Sequence, residues 1–260
     1  MRHRKSARSA HFMLSSNALY TDLSRYYDLM CCDIDYYAQS HSVMRLHQML
    51  GNGTLTHLDL ACGTGPHLRH FITAGYQSVG LDLNPPMLDI ARQRCPEAAF
   101  LLQNMTDFTL AEPVSLITCF LYSIHYNPGI AALTRCIHSA HAALTAGGIL
   151  CFNAVDKDKI CNRSLVRHST TYEDSQFAFE SGWHYSGSGE LQALKLRIAK
   201  TQGDNTQVWQ DEHSMVAISF TELIALLSPF FEVHILAHDY HSIQRWDNNA
   251  GNALFACVKR

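Results

Sequence analysis

Short apolar runs alternate with helix-like segments between residues 56 and 155, and this alternation constrains the fold more than any other feature. Five such runs occur, in the order THLDLAC, SVGLDL, AAFLLQ, VSLITCF and GILCFNAV. The clearest helix between them is predicted over 129–146, where apolar residues recur at three- and four-residue steps before Gly147 and Gly148. Strands that alternate with helices favour a parallel sheet with helices on both faces, because crossover connections are nearly always right-handed.

Two regions fall outside this alternation. Residues 18–50 are predicted to form tyrosine-rich helices, and residues 156–218 alternate in short pieces separated by Gly, Ser and Asn. The second pattern is typical of antiparallel strands, here inserted between the fifth sheet strand and the next helix. That helix, SFTELIALLSPF, begins with a Ser/Thr cap, and the runs FEVHILAHD and ALFACVK then complete the sheet as an edge hairpin.

The predicted fold class is therefore α/β, with a doubly wound, mostly parallel seven-stranded sheet of the Rossmann-like type and an antiparallel β cap insertion. We expect residues 18–155 and 219–260 to form the core with an N-terminal helical lid. Residues 156–218 are expected to form the cap. A chain of 260 residues with 47% apolar side chains can form one large α/β domain, or a domain plus a subdomain.

The first residues differ in composition from the rest of the chain. They carry Arg2, Arg4, Lys5 and Arg8 without any acid, although the whole chain has a net charge of −3. We predict that residues 1–17 form a disordered basic tail, or that residues 1–12 are an extended start upstream of Met13. A nucleic-acid arm or a targeting peptide is the alternative. A secretory signal is not expected, because no apolar stretch of the required length follows the charges.

Cysteine and histidine usage indicates a reduced protein that holds no structural metal. Most of the nine cysteines lie within apolar runs, which is typical of buried thiols in a cytosolic protein, so a cytoplasmic location is predicted. The sixteen histidines are scattered, and the close pairs have no third ligand nearby. We expect no metal, no membrane partner and no nucleic-acid partner, and either a monomer or a homodimer.

The segment HLDLACGTG begins within the first predicted strand, THLDLAC, and ends in a loop at the carboxyl end of that strand. Ligands bind at such strand ends in open parallel sheets. Gly63 and Gly65 would allow the backbone to turn tightly and to approach a ligand closely. The spacing differs from the glycine motif of dinucleotide sites, and Asp59 would repel a pyrophosphate. An acid at this strand end suits a ligand with an ammonium group, although a plain strand-to-helix turn is the alternative.

The ends of the next strands carry further polar side chains. Asp82 ends the second strand, 23 residues after Asp59, and its carboxylate could accept hydrogen bonds from both hydroxyls of a ribose. The third strand ends in LLQNMTDF, where Asn104 and Met105 would reach the edge and the face of an adenine. The fourth strand ends in CFLYSIHYN, beside the expected reactive centre.

These motifs together resemble those of the class I S-adenosylmethionine-dependent methyltransferases, over about residues 18 to 259. The D-x-A-x-G-x-G motif matches at 59–65, the acid followed by N-P-x-M matches at 82–87, and D-M-x-D-F matches at 104–108 as NMTDF, with Asn104 in place of an acid. The segment ALTAGG resembles the turn before the fifth strand. The opening pattern at 20–28, the DEHSM segment and the cap resemble the branch that includes glycine, sarcosine and amino-sugar N-methyltransferases.

The resemblance implies roles for the matching residues. The cofactor would be S-adenosyl-L-methionine, with S-adenosyl-L-homocysteine as its product, and the partner a small-molecule methyl acceptor. The backbone from Ala61 to Gly65 would surround the methionine moiety, and Asp59 would meet its ammonium group directly or through water. The remaining implied cofactor contacts are the ribose, adenine and pocket residues Tyr20, Asp82, Leu83, Met87, Asn104, Met105 and Phe120. Asn104 offers a bond that is not charge-assisted, which implies a modestly lower affinity.

Three residues are candidates for work on the acceptor. His125 lies at the end of the fourth strand, and its ordinary pKa suits a general base, although a hydrogen-bonded structural histidine is the alternative. His213 is the second candidate, with Trp183 and His184 on the cap behind it. Tyr126 is predicted to join an aromatic wall that holds a cation, together with Tyr26, Tyr27 and Tyr122, and ordinary packing is the alternative for each.

The predicted function is therefore methyl transfer to a small-molecule acceptor, most readily an amine nitrogen, by in-line displacement. A non-catalytic protein that senses or stores the same cofactor is an alternative, because binding motifs do not by themselves establish turnover. An NAD-type oxidoreductase on the same sheet is a weaker one, since the glycine spacing and Asp59 argue against it.

Overall fold

The computed structural model of the protein describes residues 11–14, 18–20 and 23–260. The predicted basic tail, residues 1–17, lies outside the described residues except for strand β1 (His11–Leu14). Here the structure differs from the predicted disorder, because β1 pairs in parallel with residues 207–210 and so satisfies the hydrogen bonds of a sheet edge.

The N-terminal lid, residues 18–20 and 23–50, consists of short helical pieces followed by one longer helix. Two single turns (Ala18–Tyr20 and Ser24–Tyr26) lead into α1 (Tyr27–Met30) and α2 (Tyr36–Leu50). Asp35 caps α2, because its carboxylate accepts a hydrogen bond of 2.8 Å from the Ala38 amide.

The central part of the chain alternates strands and helices as the sequence predicts. Its elements are β2 (Thr56–Leu60), α3 (Pro66–Thr73), β3 (Gln77–Asp82), α4 (Pro85–Arg94), β4 (Ala99–Leu102), β5 (Val114–Cys119), a single turn (Ser123–Tyr126), α5 (Ile130–Ala143) and β6 (Leu144–Val155). The predicted helix over 129–146 is three residues shorter at its end, because Leu144 already has extended backbone angles and begins β6.

A second sheet follows β6 and includes every strand of the segment assigned to the cap. Its antiparallel strands are β7 (Val166–Tyr172), β8 (Ser175–Tyr185), β9 (Leu191–Gln202) and β10 (Asn205–Val216), with β1 added at the edge beside β10. The cap sheet also packs on the lid. Leu19, Leu23 and Tyr26 of the lid share a buried cluster with Phe177 and Leu196 of the cap. The residue bounds of the cap, 156–218, remain our proposal.

The chain then returns to the first sheet through α6 (Phe220–Leu227), β11 (Phe231–Ala237) and β12 (Asn252–Lys259). Ser219 and Glu222 form a reciprocal capping box at the start of α6, a feature that contributes about 1 kcal/mol to helix stability. The completed sheet has the order β11-β12-β6-β5-β2-β3-β4, with β12 antiparallel between β6 and β11. The predicted doubly wound, mostly parallel seven-stranded sheet is confirmed.

Helices cover both faces of this sheet, as alternate residues of β6 show. Leu150 and Phe152 belong to the buried cluster that includes the apolar faces of α5 and α6. Ile149 and Cys151 belong to the cluster on the opposite face, with Val43 of α2 and other residues of α2 and α3. Because both faces are covered, ligands reach the sheet only at its edges, and the carboxyl ends of the parallel strands form one of these edges.

Within the described part of the chain, no helix is long and apolar enough to cross a membrane. The nine cysteines carry free thiols, and six of them are buried, which agrees with the predicted reduced state of the apolar runs.

Candidate active site

A cavity of about 770 Å³ lies where the carboxyl ends of the parallel strands meet the lid and the cap. Its floor comes from the loops after β2, β3 and β4, and its walls from the lid, from the turn after β5 and from cap strands β7 to β10. A volume of this order suits a drug-sized ligand or a cofactor with a small partner. The fold therefore builds one continuous chamber from segments that are far apart in the sequence.

The glycine loop after β2 turns through left-handed backbone conformations. Ala61, Gly63 and Gly65 have φ angles of 54°, 55° and 78°. Gly63 lines the cavity, as predicted, together with Ala61. Gly65 has another role, because a Cβ atom there would lie 3.3 Å from the Cβ of Ala91, so this glycine allows α4 to pack closely. The prediction that Gly65 contacts the ligand therefore finds no support in its position.

Asp82, at the end of β3, organises the floor of the cavity. Its Oδ2 accepts a hydrogen bond of 2.9 Å from the Gly63 amide, and its Oδ1 accepts bonds from the backbone and side-chain nitrogens of Asn84 at 2.9 and 3.1 Å. Burial raises the pKa of this carboxyl, and these hydrogen bonds oppose the shift. Asn84 thus occupies both acceptor sites of Oδ1, whereas Oδ2 keeps one lone pair, which suits a hydroxyl of a sugar.

The predicted adenine residues lie together beyond Asp82. Leu83, Met87, Asn104 and Met105 all line the cavity. Leu83 is 60% exposed, an unusual state for a leucine beside a pocket, and a flat apolar ligand would cover it. Asn104 Oδ1 accepts a hydrogen bond of 3.0 Å from the Thr106 amide, so the amide plane of Asn104 is held in place. Gln103, which sequence reasoning missed, lines the same part of the cavity.

Two other predicted cofactor residues do not line the cavity. Asp59 is buried below the glycine loop, where Thr118 donates a 2.7 Å hydrogen bond to its Oδ1, and burial raises the pKa of this carboxyl to about 7. Side chains alternate between the faces of a sheet, so Asp59 shares a face with His57, which also contacts Thr118. Phe120 is buried too, and its ring stacks on His67 with 3.9 Å between ring centroids. A direct contact of either residue with a ligand is not supported, and Phe120 packs in the core.

Four side chains form a connected polar chain along the wall between lid and cap. The hydroxyls of Tyr20 and Tyr126 lie 2.5 Å apart, and the Tyr126 hydroxyl lies 2.6 Å from Nδ1 of His213. Nε2 of the same imidazole lies 3.0 Å from Oδ2 of Asp211. Tyr20, Tyr126 and His213 line the cavity, whereas Asp211 stands behind the imidazole. Burial raises the pKa of both phenols, so they stay protonated near neutral pH.

His125 does not reach the cavity, which corrects its prediction as a general base. Its Nε2 accepts a 2.9 Å hydrogen bond from the Val155 amide, and its Nδ1 lies 2.9 Å from the Val216 carbonyl and 3.2 Å from the Gln192 amide nitrogen. Burial lowers the pKa of this histidine to about 4, so the ring is neutral. His125 is therefore the hydrogen-bonded structural histidine that the sequence left as the alternative, and it joins the turn after β5 to the cap.

The reason for this inward position is the strained backbone after β5. Leu121 and Tyr122 are adjacent residues with φ angles of 52° and 61°. These angles lie in the left-handed region, which residues other than glycine rarely adopt. The Tyr122 amide donates a 2.9 Å hydrogen bond to Oδ1 of Asn153, which holds the corner in place. The corner directs Tyr122 into the cavity. The turn that follows directs His125 into the core and Tyr126 toward the cavity.

Three of the four residues predicted for the aromatic wall line the cavity. Tyr27, Tyr122 and Tyr126 line the cavity, and Trp183 of the cap meets Tyr122 edge-on with 5.7 Å between ring centroids. Tyr26 is the exception, since it packs between the lid and Phe177 of the cap sheet.

A clasp formed by Asp28, Thr64 and Arg94, which the motifs did not predict, fixes the lid to the glycine loop. Thr64 donates a 2.6 Å hydrogen bond to Oδ1 of Asp28, and Arg94 forms an ion pair with the other carboxylate oxygen of Asp28. Arg94 also donates to the Thr64 carbonyl at 2.8 Å. These contacts join α1, the glycine loop and α4 beside Tyr27, which lines the cavity.

One group of described residues has donor atoms close enough to share a metal ion. The ligand atoms of Cys32, Asp33 and His168 lie within 4.8 Å of one another at the cavity rim. Burial and the neighbouring carboxylate raise the pKa of the Cys32 thiol, so the group is not prepared as a thiolate ligand. The expectation that the protein holds no metal remains a prediction.

The comparison with known proteins now bears on this geometry. Residues 58–148 match the family model described as "Methyltransferase domain". Over these residues the chain carries a methyltransferase domain. It spans the glycine loop, Asp82, Asn104 and Tyr126, so the resemblance predicted from the motifs is confirmed. The lid and the cap, which carry Tyr20 and His213, lie outside the matched segment, and the roles of those residues rest on the geometry alone.

Two relatives of the methyltransferase domain are sugar N,N-dimethyltransferases. The chain is 34% identical over 116 residues, or 45% of its length, to dTDP-3-amino-3,6-dideoxy-alpha-D-glucopyranose N,N-dimethyltransferase from Streptomyces fradiae. It is 32% identical over 116 residues to dTDP-3-amino-3,4,6-trideoxy-alpha-D-glucopyranose N,N-dimethyltransferase from Streptomyces venezuelae. These matches span about half the length of the relatives, 46% and 49%.

Solved structures of methyltransferases share the fold over more of the chain. Streptomyces venezuelae DesVI superposes with a TM-score of 0.80 at 23% identity, over 92% of this chain and 99% of its own. The sugar N-methyltransferase KedS8 from Streptoalloteichus superposes with a TM-score of 0.77 at 19% identity, over 100% and 99% of the two chains. At these identities the likeness concerns the fold.

Proposed function

We propose that the protein transfers a methyl group from S-adenosyl-L-methionine to an amine nitrogen of a small-molecule acceptor. The observation that carries the proposal is the continuity of the cavity. A floor with hydrogen-bonding groups for a nucleoside, around Asp82 and Asn104, opens directly into a chamber with an aromatic wall and the Tyr126–His213 pair. The names of the relatives and of the structural neighbours support the same reaction.

The residues present fit the cofactor. Asp82 would hold a ribose hydroxyl with the remaining lone pair of Oδ2, and Leu83 and Met87 would cover the adenine. Asn104 and Met105 would meet the adenine edge. The backbone at Ala61 and Gly63 would lie along the methionine moiety, where the missing Cβ of Gly63 leaves room, since an added Cβ would meet nothing closer than 3.6 Å. Asp59 would act on the ammonium group through the loop or through water.

When bound, the cofactor supplies a methyl group on a sulfonium sulfur, which keeps the electron pair as the acceptor nitrogen forms its new bond. The chain must align the acceptor nitrogen with that methyl group and exclude water, and positioning of this kind supplies much of the acceleration in such displacements. Tyr27, Tyr122 and Trp183 would form the walls that orient the acceptor. Their ring faces also attract a cation, which suits both an ammonium group and a sulfonium.

An amine acceptor arrives mostly as an ammonium ion, and its nitrogen must lose a proton before it can react. The Tyr126 hydroxyl is placed to accept that proton while it passes its own to Nδ1 of His213. Asp211 would stabilise the imidazolium form through its contact with Nε2. Tyr126 and His213 are thus the proposed catalytic residues, and Asp211 is a positioning residue. Tyr20 donates to the same hydroxyl, whose own proton points to His213, and so fixes its direction.

The test is a methyl-transfer assay with the cofactor and a panel of amines, alcohols and carboxylic acids. We expect formation of S-adenosyl-L-homocysteine that depends on an amine, together with a methylated product seen by mass spectrometry. Calorimetry with the cofactor provides the second measurement. Binding of the cofactor without turnover of any amine would sink the enzymatic proposal and favour the non-catalytic alternative.

We also propose a small-molecule partner only, a monomer or homodimer, and a cytoplasmic location. The supporting observations are the acidic net charge, which disfavours nucleic acid and anionic membranes, and the free thiols of the apolar runs.

A further inference from the structure

The cavity has an unusual distribution of charge. Among the described residues that line it, none is a lysine or an arginine. The carboxylates that line it are Asp33, Asp82 and Glu212, and the ionisable rings are those of His168 and His213. Asp33 and Glu212 are exposed, and both belong to the part of the wall formed by lid and cap. The formally charged side chains at this wall of the described cavity are therefore acids.

Two bases of the neighbouring cap strands are already paired and lie outside the cavity. Lys195 on β9 approaches Oε2 of Glu212 at 3.7 Å. Arg167 on β7 donates a 2.6 Å hydrogen bond to Glu180 of β8. Neither side chain lines the cavity, so neither provides a cation to a ligand in it without leaving its partner.

The first positions of α4 and α5, which are common binding sites for phosphate in other helices, offer no free donor here either. The helix α4 begins with Pro85 and Pro86, which have no N–H groups to offer. The first amide of α5, that of Ile130, donates to Oε2 of Glu190 at 3.2 Å. A carboxylate thus already occupies the anion position at the start of α5.

The chamber instead presents apolar and aromatic surface. Phe179, Trp183 and Leu194 of the cap line it opposite the Tyr122 ring. Phosphate and diphosphate groups are normally held by arginine, lysine or backbone amides, because their charge is costly to desolvate. A cation on an apolar body fits acids and ring faces far better.

From this charge distribution we infer that the acceptor is an amine that carries no phosphate, in contrast to the dTDP-linked sugars in the names of the relatives. The class is a primary or secondary amine on an apolar or sugar body, such as an amino sugar that is free or attached as a glycoside. This inference rests on the proposed function and specifies its substrate.

The first experiment measures nucleotide binding directly. Thymidine diphosphate is titrated by calorimetry into the protein saturated with S-adenosyl-L-homocysteine. We expect no saturable binding below about 1 mM, because no cation in the described cavity compensates the phosphates. Saturable binding in the micromolar range would overturn the inference. It would leave the proposed methyl transfer intact, so the two failures are distinguishable.

The second experiment compares two acceptors that differ only in the phosphate. One is a 3-amino-3,6-dideoxyglucose as its methyl glycoside, and the other is the same sugar linked to thymidine diphosphate. We expect the glycoside to be favoured in kcat/KM by at least about tenfold, since repulsion from the acids penalises the nucleotide. A preference for the nucleotide-linked sugar overturns the inference. If neither is methylated, the binding experiment decides the inference and the amine panel decides the function.

A gain of binding provides the matched control. Val166 lines the cavity on β7 and is 68% exposed, so its replacement is compatible with folding. Val166→Arg adds a guanidinium at the rim, and Val166→Gln adds a side chain without the charge. We expect thymidine diphosphate to bind Val166→Arg at least about fivefold more tightly than Val166→Gln, which shows that a cation is what the cavity lacks. Equal binding by the two variants and the unaltered protein in the micromolar range contradicts the inference.

Discussion

The hydroxyl of Tyr126 lies 2.6 Å from Nδ1 of His213, although the two residues are 87 positions apart in the chain. Tyr126 belongs to the turn after β5 and His213 to the cap strand β10. The contact therefore exists only when the cap is folded onto the sheet. This dependence makes the cap part of the catalytic apparatus that we propose.

His213→Gln should lower kcat about a hundredfold near pH 7, because the variant cannot take the proton that Tyr126 passes on. The loss should shrink as the pH rises toward the pKa of the acceptor amine, since less of the acceptor must then be deprotonated. Rate measurements across pH check this, with His184→Gln on β8, another strand of the cap sheet, as the control. An equal loss at every pH would show a structural role instead.

Asp82→Asn should weaken cofactor binding about tenfold to a hundredfold, because the carboxylate both orders the Gly63 amide and faces the ribose. Calorimetry with S-adenosyl-L-homocysteine provides the measurement. Asp89→Asn is the matched control, because Asp89 lies on the exposed side of α4 and pairs with Arg92. Unchanged affinity in Asp82→Asn would contradict the assignment of the ribose site.

His125→Asn should reduce the free energy of unfolding by about 2–4 kcal/mol, since the Val155 amide and the Val216 carbonyl both lose a buried partner. Turnover per folded molecule, and its pH profile, should stay close to those of the unaltered protein. Urea unfolding and assays at low temperature separate the two effects, with the exposed His241→Asn as the control. A stable but inactive variant would restore His125 to the mechanism.

Asp59→Asn should change how stability depends on pH. Burial raises the pKa of Asp59 to about 7 in the folded protein, above its value of about 3.9 in the unfolded chain. The folded state therefore holds the extra proton between these values, and stability falls as pH rises toward 7 and levels off above it. Between pH 5.5 and 8, the unaltered protein should lose about 2 kcal/mol relative to Asp59→Asn. Urea unfolding without cofactor measures this, and parallel pH profiles would disprove it.

The sheet and the cofactor half of the site were predictable from sequence because their signals are local. Each strand is a short apolar run, and Asp82 and Asn104 immediately follow such runs. Parallel topology then brings the strand ends to one edge without further information. Asp59 shows the limit of this reasoning, since it lies within β2 and its carboxylate is bound by Thr118 of the neighbouring strand β5.

The acceptor half was predictable only as a region. His125 and Tyr126 are neighbours, and the sequence pattern does not reveal which of them faces the cavity. The two positive φ angles at Leu121 and Tyr122 determine which residue faces the cavity, and neither residue type predicts such an angle. Likewise, the contacts between Tyr20, Tyr126 and His213 depend on the register of β10, and the clasp between Asp28 and Arg94 joins residues 66 positions apart.

The corner after β5 also bears on how such a protein can change over generations. Glycine would relax the backbone at Leu121 or Tyr122, and conformations of this kind cost about 1–3 kcal/mol each when other residues adopt them. Glycine at position 122 would also remove the Tyr122 ring. A relaxed corner at either position would no longer direct His125 to the core and Tyr126 to the cavity. Stability and activity therefore favour different residues at this corner. Directed evolution for heat resistance alone would be expected to accept glycine here and to yield sturdier but poorer catalysts.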